Sequence, residues 1–361
     1  MSQIKTPQYG GTLTTISLGE TNEVFDPGAQ GQLIGWAGQL ISEQLLGEDW
    51  AQGPAGNGKV TWTPNLSPAP DTAMGVLAES WEIPEAGTIV FMIRKGVHWA
   101  LNPDSEASLL MNSREVTADD FISNFKYLIQ NPKSGFRNYL PYVAETATLE
   151  KTGQWEITLK TPGSALIGWS WLACGNYYHY LLPPEVIEKY GDMSDWHNVV
   201  GTGPFMVTDL TSGSSTTLVR NPNYWGKDPA GLGKGNRLPY LDSIKILIIP
   251  DISTASAVFR TGQAEYINHI PSEGAHNFIH DNPEMKSLAY IAPPIFVSMK
   301  INQQELPFKD IRVRQALMMA IDYDSLKEGL YDGEAEILAF PVNSEVRQVY
   351  VPLDEMSEEV Q

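Results

Sequence analysis

Residues 198–226 read "NVVGTGPFMVTDLTSGSSTTLVRNPNYWG". Gly201 and Gly203 begin like a dinucleotide fingerprint. No third glycine follows, however, and Pro204–Phe205 lead into a strand-like run rather than a helix. The pair is instead read as a tight bend in which glycine permits positive φ. "PFMVTDL" and "STTLVRN" flank "TSGS", which makes them a hairpin closed by a glycine turn. Asn221–Trp225 end the second strand with a proline turn and two aromatics. This stretch describes a frame and carries no catalytic group.

Further strands lie on both sides of it. In "LDSIKILIIPD" (241–251), Ile244, Ile246 and Ile248 share one face. In "QWEITLK" (154–160), Trp155, Ile157 and Leu159 alternate with Glu156, Thr158 and Lys160. "GTIVFMIRKGVHW" (87–99) is apolar on both faces from Val90 to Ile93 and predicts a strand buried on both sides. Helices alternate with these strands. "VTADDFISNFKYLI" (116–129) starts at Thr117 as N-cap with Asp120 completing an acidic capping box, and Phe121, Phe125 and Leu128 form its apolar face. "DISTASAVFRTGQAEY" (251–266) predicts a helix from about Ser253 closed by Gly262. "FKDIRVRQALMMAIDYDSLKEGLY" (308–331) is capped by Asp310, with Val313, Leu317, Ala320 and Ile321 inward and Arg312 and Arg314 outward. The fold class is α/β, with no repeating period.

The totals bound the function. The chain has 361 residues, 42% of them hydrophobic and 19% charged, as in a folded protein of more than one domain. A net charge of −19 argues against nucleic acid or an anionic membrane surface as a direct partner. Cys174 is the only cysteine, which excludes an intrachain disulfide and a cysteine-cluster metal site. No apolar run approaches the roughly 18 residues of a spanning helix. "MSQIKTPQYGGTL" at the start lacks the apolar core of a signal peptide.

"GPAGNGKVTW" (53–62) nearly matches a phosphate-cradling loop, but Val60 stands where the Mg²⁺-holding Ser or Thr is needed. It follows Leu40, Ile41, Gln44 and Leu45 at helical spacing and precedes a proline-rich run, so it reads as a surface loop. His276 and His280 are spaced i, i+4, yet Asn277 replaces the glutamate of a zincin helix, and no metal site is expected. Cys174 reads as a buried inert thiol. His98 and His179 read as structural or cleft polar groups. Asp119–Asp120 sit at a helix start, where the dipole accounts for them.

Taken in order, several stretches resemble one family. They are "YGGTLT", "FDPGAQ", "LAESWEI", "FMIRKGVHW", "VTADDF", "NVVGTGPFMVTDL", "LVRNPNYWG", "LPYLDSIKILIIPD", "ASAVFRTGQAEY" and "LPFKDIRVRQALMMAIDYDSL". Each is similar to a segment of the family 5 extracellular solute-binding proteins, the dipeptide- and oligopeptide-binding components of ABC importers. The resemblance implies a two-lobe, periplasmic-binding-protein-like α/β fold of type II, peptide-binding class. It puts a first lobe at 1–269, with a subdomain at roughly 45–190, and the start of an incomplete second lobe at 270–361, since the family's chains are longer. It also implies an extracytoplasmic monomer, periplasmic or at the cell surface. Such a protein captures a peptide or similar solute in an interlobe cleft and delivers it to ABC permease subunits, with no cofactor, no metal and no catalytic step. No signal or lipid-anchor segment is read in this chain.

Cleft residues are expected from the loop after Asp26–Pro27, with Gln30 and Trp36. The aromatic run "GWSWLACGNYYHY" (168–180) adds Trp169, Trp171, Tyr177 and Tyr178, and the start of the second lobe adds Phe296 and Ser298. A further expectation is loose packing of the helix face at Val313, Leu317 and Ile321 and poor order in the acidic tail after Asp332. Two rival readings are a secreted carboxylate-dependent enzyme such as a glycoside hydrolase, and a sensor or scaffold lobe that does not bind.

Overall fold

Thr12–Ser17 (β1) buries the adjacent residues Thr15 and Ile16, so both faces of the strand are covered. The computed structural model describes residues 6–19, 24–30, 34–53, 57–59, 71–163, 179–268, 270, 272–283, 285–287, 305–335, 337, 351–352 and 355–356. The described residues through Asn268 form one unit and those from Ile270 onward a second.

In the first unit, β1 is followed by a helical turn at Pro27–Gln30 (α1) and a short helix at Trp36–Ile41 (α2). Leu46–Glu48 (β2) and Ala73–Gly75 (β3) pair antiparallel. Ala78–Glu85 (β4) and Thr88–Ile93 (β5) come next, then helices Glu106–Met111 (α3), Ala118–Gln130 (α4), Gly135–Tyr139 (α5) and Pro141–Thr146 (α6). Thr148–Gly153 (β6) and Glu156–Lys160 (β7) complete an antiparallel sheet of order β4-β5-β7-β6. After Pro184–Tyr190 (α7) come the hairpin Phe205–Thr211 (β8) and Ser215–Arg220 (β9), then Ser243–Ile248 (β10), Ile252–Arg260 (α8) and Tyr266–Asn268 (β11). These form a second sheet of order β11-β1-β10-β9-β8. In it β1 runs parallel to both β10 and β11, and the hairpin is antiparallel. One apolar core joins the two sheets, with Phe91, Ile157 and Leu159 from one and Leu218, Ile244 and Ile246 from the other.

Local chemistry accounts for most of these elements. β10 buries Ile244, Ile246 and Ile248 and exposes Lys245, as the alternation predicts. α4 begins at Thr117, whose amide donates to Asp120 Oδ2 at 2.7 Å, and it buries Phe121, Phe125 and Leu128. α8 is capped by Asp251 and closed by Gly262 at φ +70°.

Three expectations are corrected. β5 is not buried on both sides: Ile89, Phe91 and Ile93 are buried, but Met92 is 40% exposed, because this sheet carries the core on one face. α2 does not continue through Leu45. It stops at Ile41, Ser42 turns extended, and the chain enters β2, so a strand rather than a helix leads to the Gly53–Lys59 loop. Gly201 and Gly203 are absent from the positive-φ positions, and a different constraint, described below, selects glycine there.

The second unit includes Ser272–Asp281 (α9), Ile311–Met319 (α10) and Tyr323–Tyr331 (α11). Asp310 caps α10, its carboxylate accepting from the Arg312 amide. The inward face is only partly realised. Val313, Leu317 and Ile321 are half-buried, Ala320 is exposed, and no residue of α10 or α11 is buried. Arg314 does not point outward. It folds back, half-buried, to donate to Phe308 O at 2.7 Å.

Candidate functional site

In the five-stranded sheet, β10, α8 and β11 form a strand–helix–strand unit that steps over β1. The carboxyl ends of three parallel strands therefore lie together. In open α/β sheets this is where the chain leaves a crevice for ligands. The segment leaving β1 carries two of the sequence-predicted binding residues, Gln30 and Trp36.

That segment is closed at its neck and anchored at both ends. The Gly35 amide donates to Val24 O at 2.8 Å. Asp26 is fully buried. Its Oδ1 accepts from the Ala29 amide at 3.0 Å, and its Oδ2 accepts from the Tyr127 hydroxyl at 2.9 Å and the Met193 amide at 3.0 Å. Burial raises its carboxyl above the usual range, opposed by the three donors. Gly28 is needed here for contact, since a Cβ would lie 2.5 Å from the Tyr127 ring. Gln30 Oε1 accepts from the Phe25 and Asp26 amides, both at 3.1 Å, and so braces the turn it belongs to. Trp36 is half-buried at the start of α2, packed against the core.

At the far end of α2 the anchor is tighter. Gly203 N donates to Ile41 O at 2.7 Å, and a Cβ on Gly201 would stand 2.0 Å from the same oxygen. These two glycines are selected by close backbone approach. Two residues on, the nearly buried Glu43 accepts from Tyr224 Oη at Oε1 and from Trp225 Nε1 at Oε2, each at 3.0 Å. Arg94 stacks 4.5 Å above the Trp225 ring and donates to Val76 O at 2.6 Å and Gly75 O at 3.0 Å. Burial pushes the Glu43 carboxyl up to about 7, against the opposing pull of Trp225, Thr202, Tyr224 and Arg94. Asn221 Nδ2 donates to Gly203 O at 2.9 Å, which fixes the turn that carries both aromatics.

Sequence reasoning missed this second anchor. Glu43 lies in "ISEQLL", an ordinary polar position, and its partners are 51 to 182 residues away in sequence. The one available signal was "NPNYW", two aromatics with polar tips after a proline turn.

Other predicted groups are accounted for as follows. Trp169, Trp171, Cys174, Tyr177, Tyr178, Phe296 and Ser298 lie outside the described residues. His179 is buried, and burial lowers its pKa to about 4. His98 Nδ1 lies 2.7 Å from Ser113 O. Among the described residues no group of three or more His, Cys, Asp or Glu could hold a metal, and no helix is long and apolar enough to cross a membrane.

This arrangement fixes the segment that follows β1 at both of its ends, the far end at the bend that leads into β8. The sequence matches "Bacterial extracellular solute-binding proteins, family 5 Middle" over residues 72–355, and the chain belongs to that family. Among curated proteins it is similar to the glutathione-binding protein GsiB of Escherichia coli O1:K1, with 29% identity over 266 residues, covering 72% of this chain and 46% of GsiB. Among solved structures it is similar to the periplasmic binding protein DppA from Helicobacter pylori in complex with the peptide STSA. That likeness has a TM-score of 0.65 and 19% identity, over 92% of this chain and 60% of DppA. The oligopeptide-binding protein AppA from Bacillus subtilis, in complex with a nonapeptide, gives a TM-score of 0.63 at 20% identity, over 94% and 59%. The fold is therefore that of the peptide-binding class of periplasmic binding proteins. The chain spans about half the length of the curated relatives it matches.

Proposed function

We propose that the protein is the solute-capturing component of an ABC importer and that its solute is a short peptide or a molecule of similar size and polarity. The observation that carries this reading is the segment Val24–Ile41 that follows β1 and is anchored at both ends, in a chain of the family 5 solute-binding class. Glutathione, a tetrapeptide and a nonapeptide are the ligands named for the relatives, and they share a peptide backbone. Gln30, Trp36 and the aromatic run at Trp169, Trp171, Tyr177 and Tyr178 line the capture surface in this reading, with Phe296 and Ser298 contributed from beyond the first unit. Aromatic faces suit mixed peptide side chains. The protein works outside the cytoplasm as a monomer, hands its solute to membrane permease subunits, and performs no chemical step. Ligand holds the closed form by contacting both walls of the cleft.

The test is a thermal-shift screen on the protein expressed from its complete reading frame, using di- to nonapeptides and glutathione. At a hundred times its Kd, a true ligand stabilises by about 2.7 kcal/mol. Trp36→Ala should weaken that ligand at least about tenfold, the size expected of an aromatic contact. A panel that moves no transition counts against capture. A ligand whose affinity ignores Trp36 counts against this site.

A further inference from the structure

The Glu43 cluster does more than end α2. Arg94 follows β5 of the four-stranded sheet, and Tyr224 and Trp225 follow β9 of the five-stranded sheet. Glu43 holds Tyr224 and Trp225, and Arg94 lies over the Trp225 ring, so the link between the sheets runs from Glu43 through Trp225 to Arg94. We propose that protonation of Glu43 sets how firmly the two sheets of the first unit are fastened to each other.

Three elements present groups to this carboxyl, and a fourth segment holds the Glu43 backbone. Arg94 supplies positive charge from the end of β5. Tyr224 and Trp225 donate from the turn after β9, and the Tyr224 hydroxyl is itself held neutral by burial beside Glu43. Thr202 lies on the bend before β8. The Leu181 amide donates to the Glu43 backbone oxygen at 3.0 Å. His179, two residues before Leu181, is neutral across the range considered because burial holds its pKa near 4. No second carboxylate is among the influences on Glu43, and removal of its charge from water outweighs the opposing pull of Trp225, Thr202, Tyr224 and Arg94.

The direction of the pH effect follows. The unfolded chain releases this proton near 4.5, whereas the folded chain holds it to about 7. Between those values the folded state binds more protons, so stability falls as pH rises through the window and levels off above it. This is the reverse of a salt-bridged carboxylate. From pH 5 to 8, Glu43 alone should raise the unfolding constant of the first unit on the order of 50-fold. Glu43→Gln removes that dependence while keeping the cluster's shape. Its Oε1 still accepts from Trp225, and its amide can donate to Tyr224 Oη.

The experiment is urea unfolding of the full chain at half-unit intervals from pH 5 to 8, followed by tryptophan emission, for the wild-type protein and Glu43→Gln. The wild-type unfolding constant should rise on the order of 50-fold more than that of the variant. Parallel pH curves would overturn the proposal. Because the variant could fail to fold, the wild-type protein is also labelled with ¹³C at glutamate side-chain carboxyls and titrated by NMR. Burial pushes both Glu43 and Glu48 up to about 7, so two carboxyls should titrate about two units above the rest, and the Glu43 signal is identified by sequential assignment. An assigned Glu43 carboxyl that titrates below about pH 5.5 would overturn the proposal without the variant.

Discussion

Gly201→Ala tests the reading of the α2 anchor. The new Cβ would stand 2.0 Å from Ile41 O, 2.7 Å from Ile41 C and 3.0 Å from Ile41 Cγ2. Relaxed carbon–oxygen contacts lie near 3.3–3.6 Å, so the backbones must separate by about 1.3 Å. The obstacle is backbone, which no rotamer change relieves. Separation breaks the 2.7 Å bond from Gly203 N to Ile41 O and pulls on the 2.9 Å bond from Ala100 N to Gly201 O. Overpacking of this kind costs about 1–3 kcal/mol, and an unsatisfied buried carbonyl adds about 1–3 kcal/mol. The total is about 2–6 kcal/mol, read as a shift of the first unit's denaturation midpoint at unchanged slope. Gly213→Ala is the comparison: φ is +66° in the β8–β9 turn and nothing lies within 4 Å, so only backbone strain of about 1–2 kcal/mol applies. If both variants lose the same 1–2 kcal/mol, Gly201 is there for its dihedral freedom and the close-approach argument fails.

Two further variants probe independent features. Arg114 is bidentate to the buried Asp120, at 2.6 and 3.0 Å, and also donates to Glu185 at 2.5 and 2.7 Å; it thereby ties α4 to α7. Arg114→Met leaves the Asp120 carboxylate buried without its counter-ion, held by the Thr117 amide, and chemical denaturation should show a loss of about 3–5 kcal/mol, where a surface ion pair would give less than about 1. Gly329 lies inside α11 with open space around its Cβ position, so Gly329→Ala should stabilise the second unit by about 0.5–1 kcal/mol in thermal denaturation; destabilisation would show that its surroundings are occupied.

The parts of the fold that were legible in the sequence are those specified within a few residues. The capping box at Thr117–Asp120, the "TSGS" hairpin and the isoleucine alternation of β10 are local, and each folds as its chemistry dictates. The parallel pairing of β1 with β10 joins residues about 230 positions apart, and no local pattern encodes it. The two glycines of "GTGPF" show the same limit. Their presence was informative, but the reason lay on another strand of chain, at Ile41. Glu43 was illegible for that reason too. A carboxylate in a polar–apolar run looks solvated until the fold brings Tyr224 and Trp225 onto it. Of the candidate site, Gln30 and Trp36 fall on an anchored segment, and Gln30 also turned out to brace that segment through backbone bonds that composition could not show.

The most direct test of solute capture is calorimetric titration of the protein from its complete reading frame with the ligand found by screening, followed by mass spectrometry of the recovered ligand. Capture predicts one ligand bound per chain and the same molecule recovered unchanged after prolonged incubation. A ligand returned cleaved or otherwise altered in proportion to time, or no heat of binding from any member of the panel, would contradict it.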